Sequence, residues 1–152
     1  MNAYKIGIVG HAKDKFDKRT EQLARQIIYN ILDIAESIHG NICMVSGHSP
    51  VGGIDIWAEE IAMNLGMELD LKIPKQHTWN SQYGYKQRNI DIARCCNELH
   101  VILVKEYPIG YIGQRFSLCY HCKTSDHVKS GGCWTGNQAK KFGKPVIKHI
   151  IE

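Results

Sequence analysis

The chain has 152 residues, the length of one ordinary domain. Hydrophobic residues make up 43% and charged residues 22%, which excludes a disordered tail, a collagen-like chain and a coiled coil. Nineteen Lys and Arg against 15 Asp and Glu leave a net charge of +4, which suits a phosphate-bearing ligand without supplying the basic block of a nucleic-acid groove.

Tyr4 to Gly10 reads as a first, mostly apolar strand. Residues 18–38 read as a helix, because Leu23, Ile27, Ile31, Ile34 and Ile38 recur at spacings of three and four, and Gly40 stops it. Ile42 to Ser46 is a second strand. Residues 55–65 form a short helix ahead of Gly66. Glu68 to Ile73 alternates strictly and ends at Pro74. Residues 86–96 form a third helix, and Leu99 to Val104 is a nearly all-apolar strand. About thirty residues without a clear element follow, an unusual length for a loop inside a compact domain and one that points to function. Residues 136–142 make a last helix, and Pro145 to Ile151 the final strand.

Strands separated by helices imply an α/β fold with a parallel sheet and right-handed crossovers. Strands covered on both faces read as continuous apolar runs, whereas edge strands alternate. The third strand alternates and the fifth carries Lys148 and His149, so both belong at the edges. The predicted order is 3-2-1-4-5. The chain reverses direction beside the first strand, and ligands in such sheets sit beyond the carboxyl ends at that point. We expect one domain over residues 1–152, with 105–130 as an inserted loop. No apolar run approaches a membrane span and no leader is visible, so a cytoplasmic protein without a membrane partner is expected.

Four segments should meet at the carboxyl edge. Gly10, His11 and Lys15 follow the first strand. Ser46, Gly47, Gly52, Gly53 and Asp55 follow the second. Arg88 and Asn89 open the third helix, beside Trp79, Tyr83 and Tyr85. Gly131, Gly132 and Thr135 lead into the last helix. Glycine-rich loops that open helices offer free N–H groups and partial positive charge to a phosphate, although each alone also reads as a tight turn. Neither loop is a dinucleotide fingerprint or a Walker loop. Arg88 suits two-point grip of a phosphate, or is a solvated helix-start residue. The three aromatics read equally as core or as ligand contacts. Asp55 either caps its helix, the reading we favour, or holds a ribose hydroxyl.

The run Gly52-Gly53-Ile54-Asp55-Ile56-Trp57-Ala58-Glu59-Glu60 after a strand ending Ser46-Gly47 resembles the SLOG superfamily. Arg88-Asn89 ahead of an apolar strand, and Gly131-Gly132-Cys133-Trp134-Thr135 before a helix ending in Gly-Lys-Pro-Val, resemble it too. That superfamily includes cytokinin-activating phosphoribohydrolases, the DNA-processing protein of bacterial transformation and sensors of ADP-ribose-type nucleotides. The resemblance implies a Rossmann-like fold, a nucleotide-type ligand at the strand edge and a homodimer. The hydrolases carry Pro-Gly-Gly-x-Gly-Thr-x-x-Glu. Here Arg88 and Thr135 match, but Gln138 stands where the glutamate belongs. An amide cannot act as a general base, so the binding apparatus is retained and the family's catalytic carboxylate is not.

Cys119, Cys122, His127 and Cys133 are spaced C-x2-C-x4-H-x5-C. The pair of thiolates suits one tetrahedral ion, and a loop without its own core needs a tie. We expect one structural zinc per chain, with His121 as a rival ligand and Cys133 the least secure. Free thiols and a redox pair are the alternatives. Cys95 and Cys96 read as core thiols. The leading function is a nucleotide-binding sensor or sequestering module. The alternatives are a nucleotide N-glycoside hydrolase using Glu59, Glu60 or Asp14, and a single-stranded nucleic-acid binder stacking bases on Trp79, Tyr83 and Tyr85. The weak charge counts against nucleic acid.

Overall fold

A computed structural model describes residues 2–152. The elements in chain order are β1 (Tyr4–Gly10), α1 (Lys18–His39), β2 (Ile42–Ser46), α2 (Ile54–Asn64), β3 (Glu68–Leu71), α3 (Tyr85–Cys95), β4 (Glu98–Val104), α4 (Gly131–Lys141) and β5 (Val146–Ile151), with a 3-10 turn at Lys13–Lys15. All four strand pairings are parallel and the order is β3-β2-β1-β4-β5, as the hydrophobic patterns predict. The register sets Gly7 against Val45 of β2 and Gly10 against Ile102 of β4.

Alternating side chains along the central strands feed two cores. Ile6, Ile8, Met44, Ile102 and Val104 pack against Ile28 and Leu32 of α1 and Ala58 of α2. On the other face Val9, Val45, Leu99, Val101 and Leu103 pack with Ile92 of α3 and Ala139 of α4. The result is a Rossmann-like three-layer sandwich. No helix among the described residues is long and apolar enough to cross a membrane.

α1 begins at a capping box: Thr20 N donates to Asp17 Oδ1 at 2.8 Å, and Asp17 N donates to Thr20 Oγ1 at 2.9 Å. Its buried face corrects the expected one. Ala24, Ile28, Ile31, Leu32 and Ala35 face the sheet and α2, whereas Leu23, Ile34 and Ile38 stay 41%, 58% and 68% exposed. Two apolar stripes run side by side on this helix. The stripe with alanines brings the backbone closest to its neighbours, and it takes the core.

Two boundaries differ for local reasons. β3 ends at Leu71 rather than Ile73, although Lys72 N still donates to Ser46 O at 2.7 Å. α4 starts at Gly131, five residues before the expected position, because Ser130 Oγ accepts from Gly132 N at 3.0 Å and caps it. Gly131 and Gly132 therefore form the first turn of the helix. The poor intrinsic propensity of glycine hides that turn in the sequence.

Candidate functional site

A cavity of about 320 Å³ opens at the carboxyl edge between β1 and β4. Gly10 forms part of its floor, and a Cβ there would lie 2.2 Å from Ile102 O, so only glycine lets β1 run this close to β4. His11 follows, 3% exposed. Its Nδ1 accepts from Val104 N at 3.1 Å, which leaves Nε2 as the donor to Val128 O at 2.9 Å. Burial pushes its pKa down to about 4, so the ring is neutral at physiological pH. His11 lines the cavity, but both ring nitrogens are committed to backbone.

The β2–α2 loop supplies the next wall. Ser49, Gly52 and Asp55 line the cavity, whereas Ser46, Gly47 and Gly53 do not. Gly53 takes φ +86° as the N-cap of α2 and packs against the backbone of His11, Ala12 and Lys13. It therefore occupies the capping position that the sequence reading favoured for Asp55. Asp55 instead accepts from Ser49 N at 3.1 Å, pinning the loop. Burial raises its pKa to about 6, against the pull of nearby Arg88.

Arg88 and Asn89 enter from the N-terminal half of α3. Arg88 Nη1 donates to Gly47 O across a short contact of 2.6 Å, and Nε donates to Asn89 Oδ1 at 2.7 Å. Gly47 thus serves the site by steering Arg88. Ser46 Oγ donates to Glu59 Oε2 at 2.7 Å, and Glu59 Oε1 meets His48 Nδ1 at the same distance. Glu59 is fully engaged there. Glu60 pairs with Arg25 at 2.9 Å, and exposed Asp14 with Lys15 at 3.0 Å. None of the three carboxylates considered in place of Gln138 lines the cavity, and neither does Gln138. Asp55 is its one acidic lining residue.

The remaining wall comes from α4 and the segment before it. Gly131, Gly132 and Thr135 line the cavity with Ser130 and Lys129, so the four expected segments do converge. Lys15, Arg88 and Lys129 surround it with positive charge. Tyr107, Tyr111, Gln114 and Phe116 also line it, and sequence reasoning missed them. Their signal was there: Tyr107-Pro108-Ile109-Gly110-Tyr111-Ile112-Gly113-Gln114-Arg115-Phe116 is dense in aromatics for a loop. Trp79, Tyr83 and Tyr85 do not line the cavity. Trp79 packs edge-on against Trp134 with centroids 4.8 Å apart, and Tyr83 is half-exposed.

Behind that wall the ligating atoms of Cys119, Cys122, His127 and Cys133 all lie within 4.8 Å of one another, and this cluster could hold a metal ion. His121 is not part of it; its carbonyl accepts from Asn137 Nδ2 at 3.0 Å. Burial opposes ionisation of Cys119, but hydrogen bonds from the Ser130, Cys122 and His121 backbone outweigh it and bring the thiol down to about 7. Burial and the neighbouring sulfurs push Cys133 up. His127 Nδ1 bonds Asp126 Oδ1 at 2.7 Å, which leaves Nε2 facing Cys133 Sγ at 3.4 Å. A carboxylate behind a histidine and amides on a thiolate are the usual outer support of a metal site. Lys148 Nζ lies 2.9 Å from Cys122 Sγ, where its charge would offset that of metal-bound thiolates.

No family model matches the chain, and no curated protein is similar to it in sequence. Among solved structures it is similar to the molybdenum cofactor carrier protein of Chlamydomonas reinhardtii. The identity is 15%, the match covers 97% of this chain and 76% of that one, and the TM-score is 0.60. The shared property is the Rossmann-like fold.

Proposed function

We propose that this protein binds a phosphate-bearing, nucleotide-type small molecule at the carboxyl edge, as a sensor, sequestering or carrier module. The observation that carries the reading is the charge of the cavity: Lys15, Arg88 and Lys129 face the N-terminal turn of α4, with one carboxyl among them. The name of the Chlamydomonas protein, a cofactor carrier, agrees with a binding rather than a catalytic role. The SLOG resemblance and the homodimer it implies belong to the same reading. The Cys3His cluster takes one structural zinc per chain, since four closed N/S ligands leave no position for a reacting molecule.

Calorimetric titration with ADP-ribose and AMP tests this reading. Arg88→Ala is expected to cost roughly 1.5–3 kcal/mol of binding free energy, about ten- to a hundredfold in Kd. Unchanged binding by that variant would place the ligand elsewhere. A second reading, N-glycoside hydrolysis, rests on Asp55, whose raised pKa suits a general acid. Release of free base from AMP within minutes by the wild-type protein, lost in Asp55→Asn, would favour it over binding alone.

A further inference from the structure

The segment between β4 and α4 contributes few side chains to either core; Cys119, Val128 and the half-buried Tyr107 and Cys122 are the main ones. Its aromatic side chains are nevertheless ordered against one another and against cations. Tyr107 and Tyr111 stack with centroids 4.7 Å apart. The Arg115 guanidinium lies over both rings, at 5.1 and 5.5 Å. Lys15 from the β1–α1 loop lies 4.9 Å from the centre of Tyr111, and Lys129 the same distance from Phe116. Tyr107 also turns its hydroxyl back to accept from Phe116 N at 2.8 Å. These rings line the cavity together with Lys15 and Lys129.

A loop with so little buried surface cannot hold three half-buried rings in register by packing alone. The Cys3His cluster supplies the hold. His127 and Cys133 bracket Lys129, Ser130, Gly131 and Gly132, four residues that line the cavity, and Cys119 and Cys122 follow Phe116 closely. The His11 ring bonds Val128 O and Lys129 O, tying the same segment to the sheet edge.

We propose that residues 105–130 form a metal-held aromatic wall that makes the cavity select ligands carrying a planar heteroaromatic ring beside the phosphate. The anion lies among Lys15, Lys129, Arg88 and the α4 turn, and the ring packs on Tyr107, Tyr111 and Phe116. This rests on the nucleotide-binding reading of the same cavity and adds to it the residues that select the ring and the metal cluster that holds them. Stacking on an aromatic side chain is worth enough to be read directly as affinity.

The test compares AMP with ribose 5-phosphate, which share the phosphate and sugar and differ by the ring. On the zinc-loaded full chain AMP is expected to bind roughly tenfold or more tighter. Tyr111→Ala or Phe116→Ala should bring AMP to within about threefold of ribose 5-phosphate while leaving the latter unchanged. Tyr111→Phe should retain the preference. Protein stripped by a chelator should lose the preference and regain it when zinc is restored. A purely structural role for the rings would weaken both ligands together. Equal affinities for the wild-type protein, or a preference that survives both alanine variants and stripping, would overturn the proposal while leaving phosphate binding intact. If neither compound binds, the phosphate reading falls and this inference falls with it.

Discussion

The two halves of the cavity wall are built by different means. The loops after β1 and β2 are fixed by backbone: Ile54 N donates to His11 O at 3.2 Å, Ser49 N to Asp55 at 3.1 Å, and Arg88 reaches Gly47 O. Glycines let those chains pass within contact distance of their neighbours. The segment 105–130 meets the sheet through backbone at its two ends, Lys105 N donating to Ile151 O at 2.8 Å and Val128 N to Val104 O at 2.9 Å, and between them it leans on the cysteine and histidine cluster and the His11 ring. Where the chain can close on a core, geometry suffices; where it cannot, a cluster of donors takes over.

Removing the cluster should break this contrast most sharply. Cys122→Ser, or chelation, is expected to leave the sheet folded by circular dichroism while 105–130 becomes rapidly cut by protease and exchanges its amides freely. Metal analysis of protein prepared without chelator should find one zinc per chain, and well under one would refute the site. Because Cys133 is held protonated by burial, metal loading should also release protons, measurable by calorimetry in buffers of different ionisation enthalpy.

The glycine-built half should yield to a single methyl group. Gly53→Ala forces a side chain at φ +86° and sets Cβ 2.5 Å from His11 O. A loss of about 3 kcal/mol in urea unfolding is expected. Gly131→Ala is the contrasting control, with nothing within 4 Å of the added Cβ, and should stabilise by up to about 1 kcal/mol. Equal destabilisation by the two would erase the difference between these glycines.

A smaller effect comes from Asp55. Its pKa of about 6 stands above the ordinary 3.8, so the folded state binds the proton more tightly than the unfolded chain. Its stabilising contribution is complete below the lower value and lost as pH rises through about 6. Asp55→Asn keeps an oxygen acceptor for Ser49 N and should gain on the order of 2 kcal/mol over wild type at pH 8, with little difference at pH 4. ADP-ribose affinity should likewise rise in the wild type as pH falls through about 6, and stay flat in the variant.

What the sequence disclosed follows the same division. Strand order was readable because Val101, Ile102, Leu103 and Val104 are apolar on both faces while Glu68, Leu69, Asp70 and Leu71 alternate. The convergence of Lys15, Gly52, Asp55, Arg88 and Gly132 followed from topology alone. The face of α1 was misread because periodicity counts large side chains, whereas close packing selected Ala24 and Ala35. Tyr107, Tyr111 and Phe116 were missed because no element carries them to the cavity: their placement depends on a fold-back held at Cys119 and Cys133, a tertiary fact without a period. The start of α4 was hidden because a capping serine outweighs two glycines.

The four donors lie within fifteen residues of sequence, from Cys119 to Cys133, yet one of them already sits in the first turn of α4. Gathering them closes only a short loop, at small entropic cost, whereas β5 reaches its place beside β4 only after some forty residues have been drawn back. Metal capture can therefore precede completion of the sheet. A growing chain that took up an ion there first would present β5 with a helix already started and a crossover already shortened, so the supply of metal would set the order in which the last third of the molecule assembles.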